Sequence, residues 1–542
     1  MRIGTSWRLP SVGKSRPLTN EGRCSGMRKT SRPKSSVLLG ILVAFATFVA
    51  GCGQSGSDEE NKAVLRFGVF SGTDSLDPYL TIQAVAAILY PEYDTLTLMD
   101  DRFELKPSLA TSWTRPDPRT WRLELRDDVV FHDGSKFDAE TVKLNFERGR
   151  SLQASPYIAL YSAMSEIKVV DADTVDITFA EPYPAFPAEA ATIAGAMVSP
   201  KAIKEKGDLT STMAGSGGWI FDARTFDRKS ALAFDANPNY WNAGQVKVDR
   251  LEYNIITDDN ARFNALQGGQ IDIMGHLQPG QVATAKSGNK AIFEIPVECG
   301  AIIVVDRVGK IVPALKDQRV RQAIGLLIDR TAMNRSAYAD GGSPEFGGFM
   351  PPGSYWHNAE LDRVHETPDV NRARRLLADA GYPNGFSFEI ASVDLVKQRL
   401  TALSQMLRAG GIDMKLKAVP PNSLAKGNRA GNFPVITVTS RHVVPGSWYS
   451  AYVSESGPYN AAFKATDMTD LDAKAVAADS AADESKSKAI WDEIQGEVLN
   501  RGFMFPIMWT SQRAAVSAGV AGEAVLRPAE ATPRPYGLSV KS

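Results

Sequence analysis

The chain has 542 residues, of which 43% are hydrophobic and 23% charged, so its length and balanced composition predict a globular protein of two or three domains. Residues 1–51 carry nine Lys or Arg against the single acid Glu21, which leaves 52 basic and 61 acidic residues and a formal charge near −9 in the rest of the chain. A body this acidic has no basic stripe to neutralise phosphates, which argues against nucleic acid as a partner.

The N-terminal residues have the pattern of an export signal. A basic stretch at 28–34 precedes an uncharged apolar run at 37–51 (VLLGILVAFATFVAG), which is shorter than the ~20 residues of a membrane-spanning helix and is typical of a secretory signal. The sequence VAGC at 49–52 resembles the bacterial lipobox, in which a diacylglyceryl group is attached to the cysteine thiol and the cysteine becomes the first mature residue. We therefore predict lipidation at Cys52.

The expected signal peptide covers residues 1–51, with translation starting at Met27, because a start at Met1 leaves an unusually long basic region. Residues 52–62 are polar and rich in Gly and Ser, and they predict a flexible tether. The mature protein is therefore expected outside the cytoplasmic membrane, at the cell surface or in the periplasmic space, with a lipid anchor at Cys52.

Cysteine usage is sparse, with Cys24, Cys52 and Cys299 at spacings that fit no metal site. Because Cys24 lies in the expected leader and Cys52 is expected to be lipidated, Cys299 has no disulfide partner. We interpret Cys299 as a small buried apolar residue.

The mature chain begins with a predicted strand at 64–69, followed by a turn-rich loop at 71–78 (SGTDSLDP) and a predicted helix over 82–89. Apolar residues alternate with polar ones at 121–125 and 175–179, which predicts two more half-buried strands.

Two further helices have clear start and stop signals. Asp138 is a favourable N-cap for a helix that runs through Phe146, and Asp369 caps a second helix that Gly381 stops. Strands and helices are mixed from end to end without a repeat of 20 to 50 residues, so the fold class is mixed α/β.

The segment His132-Asp133-Gly134 closes a turn before the first capped helix. A His beside a carboxylate resembles half of a catalytic pair, but adjacent residues on a tight turn point in different directions, and no nucleophile motif such as G-x-S-x-G accompanies them. We interpret the turn as structural and predict no catalytic residue and no enzyme activity.

The spacing of the His and Cys residues does not support a metal site. No two histidines are spaced i, i+4 on a helix, and no cysteine cluster accompanies them, so neither a metal site nor another cofactor is predicted. The five histidines are His132, His276, His357, His365 and His442.

Seven motifs occur in a fixed order along the chain. The densest is residues 105–148, which has a PSLA-x-SW opening, a strand, an FHDG turn and a helix. The others are SLDP at 75–78, GSGGWIF at 215–221, NPNYW at 237–241, LQGGQIDI at 266–273, DQRVRQAIGLLIDR at 317–330 and LLADAGYPNGF at 376–386. Together they resemble the extracellular solute-binding proteins of family 5, which include the dipeptide-, oligopeptide- and nickel-binding proteins of ABC importers.

The resemblance implies an α/β, two-lobed periplasmic-binding-protein-like clamp (type II-like) with an extra domain inserted in the first lobe. Lobe I is expected to comprise residues 61–92, 213–298 and 506–542, the inserted domain residues 93–212, and lobe II residues 299–505. Ligand would be enclosed in the cleft between the lobes, and hinge closure is the expected motion.

The implied function is that of a substrate-binding lipoprotein of an ABC importer, a monomer that captures a small solute in the cleft and delivers it to the permease subunits. The solute would be peptide-like or another small organic molecule. Capture of chelated nickel or another metal, a secreted hydrolase and a sensor with a similar cleft are the alternatives.

The resemblance also indicates where the ligand is held. In peptide-binding relatives, a late stretch of the second lobe carries a Trp and an acidic Asp-Pro loop whose carboxylate meets the α-ammonium of the peptide. The corresponding residues here, 438–452 (VTSRHVVPGSWYSAY), contain Pro445 but no carboxylate. An α-ammonium buried without a countercharge costs several kcal/mol, which argues against ordinary peptide binding by that mode.

The same stretch supplies a guanidinium, an imidazole and two aromatic rings, from Arg441, His442, Trp448 and Tyr449. These groups suit an anionic, aromatic or amphipathic ligand. Trp219 lies beside the expected hinge, and residues 74 and 83 flank a segment that lines the cleft in relatives. Packing of the two tryptophans into the core is the alternative. The candidate ligand-binding residues are Asp74, Gln83, Trp219, Arg441, His442, Trp448 and Tyr449.

Overall fold

The structure, a computed structural model, describes residues 62–205, 207–364, 367–481, 483–527, 530 and 532–541. The predicted signal peptide, Cys52 and all of the tether except its last residue lie outside this part of the chain, as does His365.

The strands are, in chain order, β1 Val64–Val69, β2 Thr97–Met99, β3 Leu105–Pro107, β4 Ala110–Asp117, β5 Thr120–Leu125, β6 Met164–Val169, β7 Thr174–Phe179, β8 Trp219–Phe221, β9 Ala231–Ala236, β10 Arg250–Ile255, β11 Ile273–Gly275, β12 Ala291–Val304, β13 Gly342–Ser343, β14 Phe386–Ser392, β15 Ile412–Ala418, β16 Val435–Ser440, β17 Met504–Val516, β18 Val520–Ala521 and β19 Ser539–Val540. The α-helices are α1 Ala139–Ser151, α2 Ile158–Ala163, α3 Phe186–Glu189, α4 Pro200–Lys204, α5 Asp259–Gln267, α6 Val282–Ser287, α7 Gln318–Leu326, α8 Arg330–Ala337, α9 Val370–Asp379, α10 Asp394–Ala409, α11 Pro421–Arg429, α12 Pro445–Tyr452, α13 Thr469–Ser480 and α14 Glu484–Asn500.

One mixed sheet of nine strands runs through both lobes of an α/β clamp. Its order is β16, β12, β17, β11, β1, β10, β9 and β8, with β13 paired to β17 at the side. The antiparallel strands β12 and β17 are 14 and 13 residues long, and they pair from Ala291 opposite Val516 to Ile303 opposite Met504. These two strands connect the lobes and place their central residues beside the cleft.

Each lobe has its own hydrophobic core. In the first lobe, Phe67 of β1 stacks on Tyr253 of β10 with ring centroids 4.6 Å apart, and Leu538 near the C-terminus packs into the same core. In the second lobe, Ile302 of β12 and Trp448 of α12 belong to one large buried cluster. The chain therefore returns to the first lobe after it has built the second.

The inserted domain packs the antiparallel sheet β4-β5-β7-β6 against α1. Trp121 of β5 lies opposite Ile177 of β7, so both predicted strands are confirmed. The Asp138 side chain accepts a hydrogen bond from the Thr141 N–H at 2.8 Å, which confirms the predicted N-cap, and α1 continues past Phe146 to Ser151.

The strand predicted at 64–69 and the helix capped by Asp369 are also confirmed, the latter ending before Gly381, which has φ of +90°. The helix predicted over 82–89 is instead a short 3-10 helix, Gln83–Ile88. Its N-cap residue Ile82 makes no side-chain cap hydrogen bond, so its first turn lacks this stabilising contact.

Cys299 lies on β12 inside the second-lobe core with no exposed surface. Burial raises the pKa of its thiol to about 12, so the thiol stays protonated and unreactive at neutral pH. The prediction of a small buried apolar residue is confirmed.

Candidate ligand-binding cleft

The two lobes face each other across a cavity of about 580 Å³, a volume within the range of small-molecule sites. The first lobe contributes Phe70, Gln83 and His276 to the wall, and the second contributes Tyr338 and Arg441. The connecting strands add a row of polar groups, namely Glu298, Thr510, Gln512 and Arg513. The wall therefore combines charged and amide groups with aromatic rings.

An ion pair between Arg441 and Glu298 lies in this wall. Arg441 is the first residue after β16, and its Nε and Nη2 donate to Glu298 Oε1 at 2.8 and 2.6 Å. Glu298 follows a register irregularity in the β12–β17 ladder beside Pro296, which has no N–H to donate. The two side chains are 59% and 26% exposed, so both charges are accessible from the cleft.

A second ion pair joins Arg513 to Glu294 at the edge of the cavity. Arg513 Nη2 donates to Glu294 Oε1 at 2.7 Å and to the Gly341 carbonyl at 2.9 Å, which holds the largely buried guanidinium in place. Because the cleft carries paired charges of both signs, it suits a zwitterion better than an ion of one sign.

His276 supplies a neutral ring on the first-lobe side. Its backbone has φ of +58°, its ring centroid lies 5.0 Å from that of Phe70, and its Nδ1 lies 3.2 Å from Gln278 Nε2. Burial, with a smaller contribution from the Arg262 guanidinium, lowers the pKa of His276. The imidazole is therefore uncharged at neutral pH and acts through hydrogen bonds and ring contact.

Of the seven predicted ligand-binding residues, the structure places Gln83 and Arg441 in the cavity wall. Asp74 is exposed and does not line the cavity. The buried acid of the same turn is Asp77, whose carboxylate pairs with Arg148 of the inserted domain. The turn therefore joins the inserted domain to the first lobe.

Three predicted aromatic contacts need correction, because all three side chains lie in cores. Trp219 has no exposed surface and belongs to the first-lobe core. Trp448 is equally buried, with its ring centroid 4.5 Å from that of Phe349, and the Tyr449 hydroxyl donates to Asp472 Oδ1 at 2.7 Å. Residues 445–452 form α12, and the apolar face of this helix carries both rings into the second-lobe core.

His442, the residue after Arg441, is also not among the residues that line the cavity. Its Nδ1 lies 3.1 Å from Ser447 Oγ, and its ring meets Tyr452 edge-on at 5.3 Å. Burial lowers the pKa of His442 to about 4, so this ring is a neutral packing group at pH 7.

Sequence reasoning missed Glu298, His276, Tyr338 and Arg513. Their positions depend on which residues of distant segments meet at the cleft, and none lies in a recognisable motif. The one available signal was Pro296 inside a long apolar strand, which predicts an irregularity where side chains change direction.

The FHDG turn is structural, as predicted. His132 Nδ1 lies 2.8 Å from Glu92 Oε1, and its Nε2 lies 2.9 Å from the Gly217 carbonyl oxygen. Both ring nitrogens thus hold the inserted domain against the first lobe.

Within the described residues, no three His, Cys, Asp or Glu side chains converge on a point where a metal ion could be held. No helix in this part of the chain has the length and apolar character needed to cross a membrane.

A two-lobed α/β clamp with a polar cavity between its lobes defines a solute-binding protein. The family model "Bacterial extracellular solute-binding proteins, family 5 Middle" matches residues 104–470, and the chain belongs to this family. The resemblance noted in the sequence is thereby confirmed, and the chain is a solute-binding protein for an ABC importer, in a family of binding proteins rather than enzymes.

Among curated proteins, the glutathione-binding protein GsiB of Salmonella paratyphi A is 29% identical over 359 residues, which cover 65% of this chain and 68% of GsiB. Among solved structures, the unliganded open form of the periplasmic murein tripeptide binding protein MppA has a TM-score of 0.77 at 18% identity, with 88% of this chain and 97% of MppA covered. HbpA2 from Haemophilus parasuis also has a TM-score of 0.77, at 22% identity, with 88% and 100% covered. The two structures show the same fold.

Proposed function

We propose that this protein captures a short, peptide-like zwitterion of about the size of glutathione and delivers it to the permease of its importer. The observation that carries this proposal is the accessible Glu298–Arg441 pair, which presents opposite charges side by side in the cleft. The similarity to glutathione-binding GsiB supports the same class of ligand.

The two charges have separate roles in this proposal. Glu298 accepts hydrogen bonds from the α-ammonium of the ligand, and Arg441 donates to a carboxylate of the ligand. The ligand thus takes the place of Arg441 at Glu298 and of Glu298 at Arg441. Residues 438–452 contain no acid, but Glu298 of β12 reaches the same cleft from another strand. The unpaired ammonium that argued against peptide binding therefore has a countercharge.

Lobe closure would complete the site. The lobes are joined by β12 and β17, whose pairing is irregular between Pro296 and Glu298 and between Gly300 and Ala301. Such bulges interrupt the ladder and permit bending, so we place the hinge there. A closed clamp would offer the permease a shape that the open one lacks.

We further propose that residues 1–51 are removed and that Cys52 carries a diacylglyceryl anchor, with the folded body acting as a monomer outside the cytoplasmic membrane. Mass spectrometry of the mature N-terminus after expression in a bacterial host checks the modification. A Cys52→Ser variant is expected in the soluble fraction, whereas the native protein is expected in the membrane fraction.

The ligand class is tested by native mass spectrometry of protein purified from its own host, followed by a thermal-shift screen of glutathione, tripeptides, opines, sugars and metal chelates. Glutathione or tripeptides are expected to stabilise the protein, because occupancy at 100 times Kd adds about 2.7 kcal/mol. N-acetylation of the same peptides should abolish most of that shift, since it removes the ammonium.

Stabilisation by sugars or metal chelates with no response to any peptide would overturn the proposed ligand class. Turnover of an ester or peptide panel that a single side-chain substitution abolishes would instead favour the hydrolase alternative.

A further inference from the structure

A side cavity of about 90 Å³ opens beside the main cleft. It shares Gln83 and Arg441 with the main cavity and is bounded on its other sides by Arg527 and Glu530 of the C-terminal segment. The other described residues of its wall are mostly apolar, namely Met99, Ala188, Ala191 and Val443, with Thr192 as a further polar group. A volume of this size holds about three waters or one small polar group, but not a whole amino acid.

Arg527 is the unexplained group in this cavity. Its Nε is buried and has no hydrogen-bond partner. Burial, followed by repulsion from Arg534, lowers the pKa of Arg527 to about 10, although the charge of Glu530 acts in the opposite direction, and Arg527 stays charged at neutral pH. A largely buried guanidinium nitrogen without a hydrogen-bond acceptor is costly, so such groups are normally paired or take part in binding.

The acid whose charge acts on Arg527, Glu530, is hydrogen-bonded to another arginine. Glu530 also lines the side cavity, but both of its carboxylate oxygens accept hydrogen bonds from Arg534, at 3.0 Å for Nε to Oε2 and 2.6 Å for Nη2 to Oε1. The neighbouring cavity of about 130 Å³, which Arg527 also lines, contains the carboxylate of Asp94. Asp94 is satisfied by three donors of its own, on Tyr240, Trp241 and Ser216.

The amide at the mouth of the side cavity is held in place. Gln83 Oε1 accepts from the Ile193 N–H at 3.1 Å, and Gln83 Nε2 donates to the Tyr90 hydroxyl at 3.0 Å. The mouth therefore has a fixed polar rim from Gln83 and an exposed cation from Arg441. An anion that passes this rim meets Arg527 in surroundings of low dielectric, where charge pairing is strongest.

We propose that the side cavity is a carboxylate subsite, in which Arg527 pairs with a carboxylate of the captured ligand while the rest of the ligand lies in the main cleft. This inference rests on the proposed peptide-like ligand and narrows it to molecules that have a second carboxylate besides the one that meets Arg441. A ligand with two carboxylates and one ammonium satisfies Arg441, Arg527 and Glu298 together.

The test is a thermodynamic cycle measured by isothermal titration calorimetry. Native protein and Arg527→Gln are each titrated with glutathione and with its two monoamides, one at the glycine carboxylate and one at the γ-glutamyl α-carboxylate. One of the two monoamides lacks the carboxylate that Arg527 binds, and the native protein is expected to bind this monoamide at least tenfold more weakly than glutathione. In Arg527→Gln, glutathione should lose a similar factor, and the variant should no longer distinguish glutathione from that amide.

Two further variants separate binding from folding. Arg408→Gln removes an exposed arginine, 67% accessible, whose partner is Asp413, and it should bind all three ligands as the native protein does. Arg527→Lys keeps the charge and should recover part of the lost affinity. Because Arg527→Gln removes a guanidinium whose buried Nε has no hydrogen-bond partner, its unliganded Tm should be unchanged or higher, whereas a marked fall would assign Arg527 a structural role and overturn the subsite.

The outcomes distinguish this inference from the function on which it rests. If native protein binds glutathione and Arg527→Gln binds it equally well with unchanged discrimination of both amides, the subsite is refuted while the peptide-like function stands. If native protein binds neither glutathione nor tripeptides, the proposed function fails and the subsite fails with it. Titration with acetate gives a further distinction. A general anion pocket would bind acetate alone, and acetate would then compete with glutathione, whereas a subsite that requires the whole ligand would not bind acetate.

Discussion

Two Arg–Glu pairs with the same chemistry occupy opposite environments in this molecule. Arg441 and Glu298 in the cleft are 59% and 26% exposed, whereas Arg534 and Glu530 near the C-terminus are 4% and 2% exposed. Exposed pairs contribute little to stability, while breaking a buried pair leaves an uncompensated charge and is strongly destabilising. The comparison indicates that the cleft pair is available to a ligand and that the C-terminal pair maintains the fold.

The surroundings of the buried pair support this division. The Arg534 guanidinium lies 3.5 Å from the ring centroid of Tyr90, and the Tyr90 carbonyl accepts from the Tyr536 hydroxyl at 3.2 Å. The C-terminal segment is therefore tied to the first lobe by charge, ring and hydrogen-bond contacts at once. In the described part of the chain, the Arg441 guanidinium of the cleft pair makes no ring contact of this kind.

The largest effect is expected for Glu530→Gln, which leaves Arg534 without a countercharge inside the first lobe. The free energy of unfolding should fall by about 3–5 kcal/mol in urea denaturation at neutral pH. Glu389→Gln is the matched control, because Glu389 pairs with Lys417 at the surface, and its effect should stay within about 0.5 kcal/mol. Equal effects of the two variants would contradict the distinction between buried and exposed pairs.

The next effect concerns His442, which follows the accessible Arg441 but is held neutral by burial. Its folded-state pKa of about 4 lies below the ordinary value of 6.5, so the unfolded state binds more protons between these values and stability falls as the pH is lowered from 6.5 to 4. This residue should account for about 2–3 kcal/mol of that loss. The loss is measured as the difference in urea unfolding between native protein and His442→Asn across this pH range.

Above pH 7 that difference should be constant, because His442 is uncharged in both states. A difference between the two proteins that does not vary from pH 7 to pH 4 would mean that the ring is not kept from protonating.

The smallest effect on free energy is expected at the cleft pair itself. Arg441→Ala should weaken ligand binding ten- to a hundredfold, about 1.4–2.8 kcal/mol, because a charge-assisted contact is lost. Its unliganded Tm should change by less than ~2 °C, since an exposed pair adds little to stability. Calorimetry and thermal unfolding on the same preparation check both statements, and equal affinity in the variant would remove Arg441 from the site.

The local elements of the chain follow from local sequence. The N-caps at Asp138 and Asp369 and the alternating strands at 121–125 and 175–179 lie where the pattern predicts them, because capping and period-two burial depend on neighbours a few residues away. The helix predicted over 82–89 is a 3-10 helix instead, and its N-cap residue Ile82 has no side chain that could accept a hydrogen bond from the first turn.

The candidate site was only partly predictable. Gln83 and Arg441 were found because their segments match segments that line the cleft in the family, whereas Trp219, Trp448 and Tyr449 lie in cores. An aromatic ring in a loop near a hinge has the same local pattern whether it faces ligand or core. Burial depends on which distant residues cover it.

The sequence by itself determined the family, the mixed α/β class and the helix and strand signals, because these depend on motif order and short-range periodicity. Only the tertiary structure decided that Glu298 meets Arg441 across 143 positions of chain, that Arg527 lines a side cavity with its Nε unpartnered, and that Glu530 is hydrogen-bonded to Arg534. Charge pairing falls off with distance in space and not along the chain, so the chemistry of the cleft is set by the packing of the lobes.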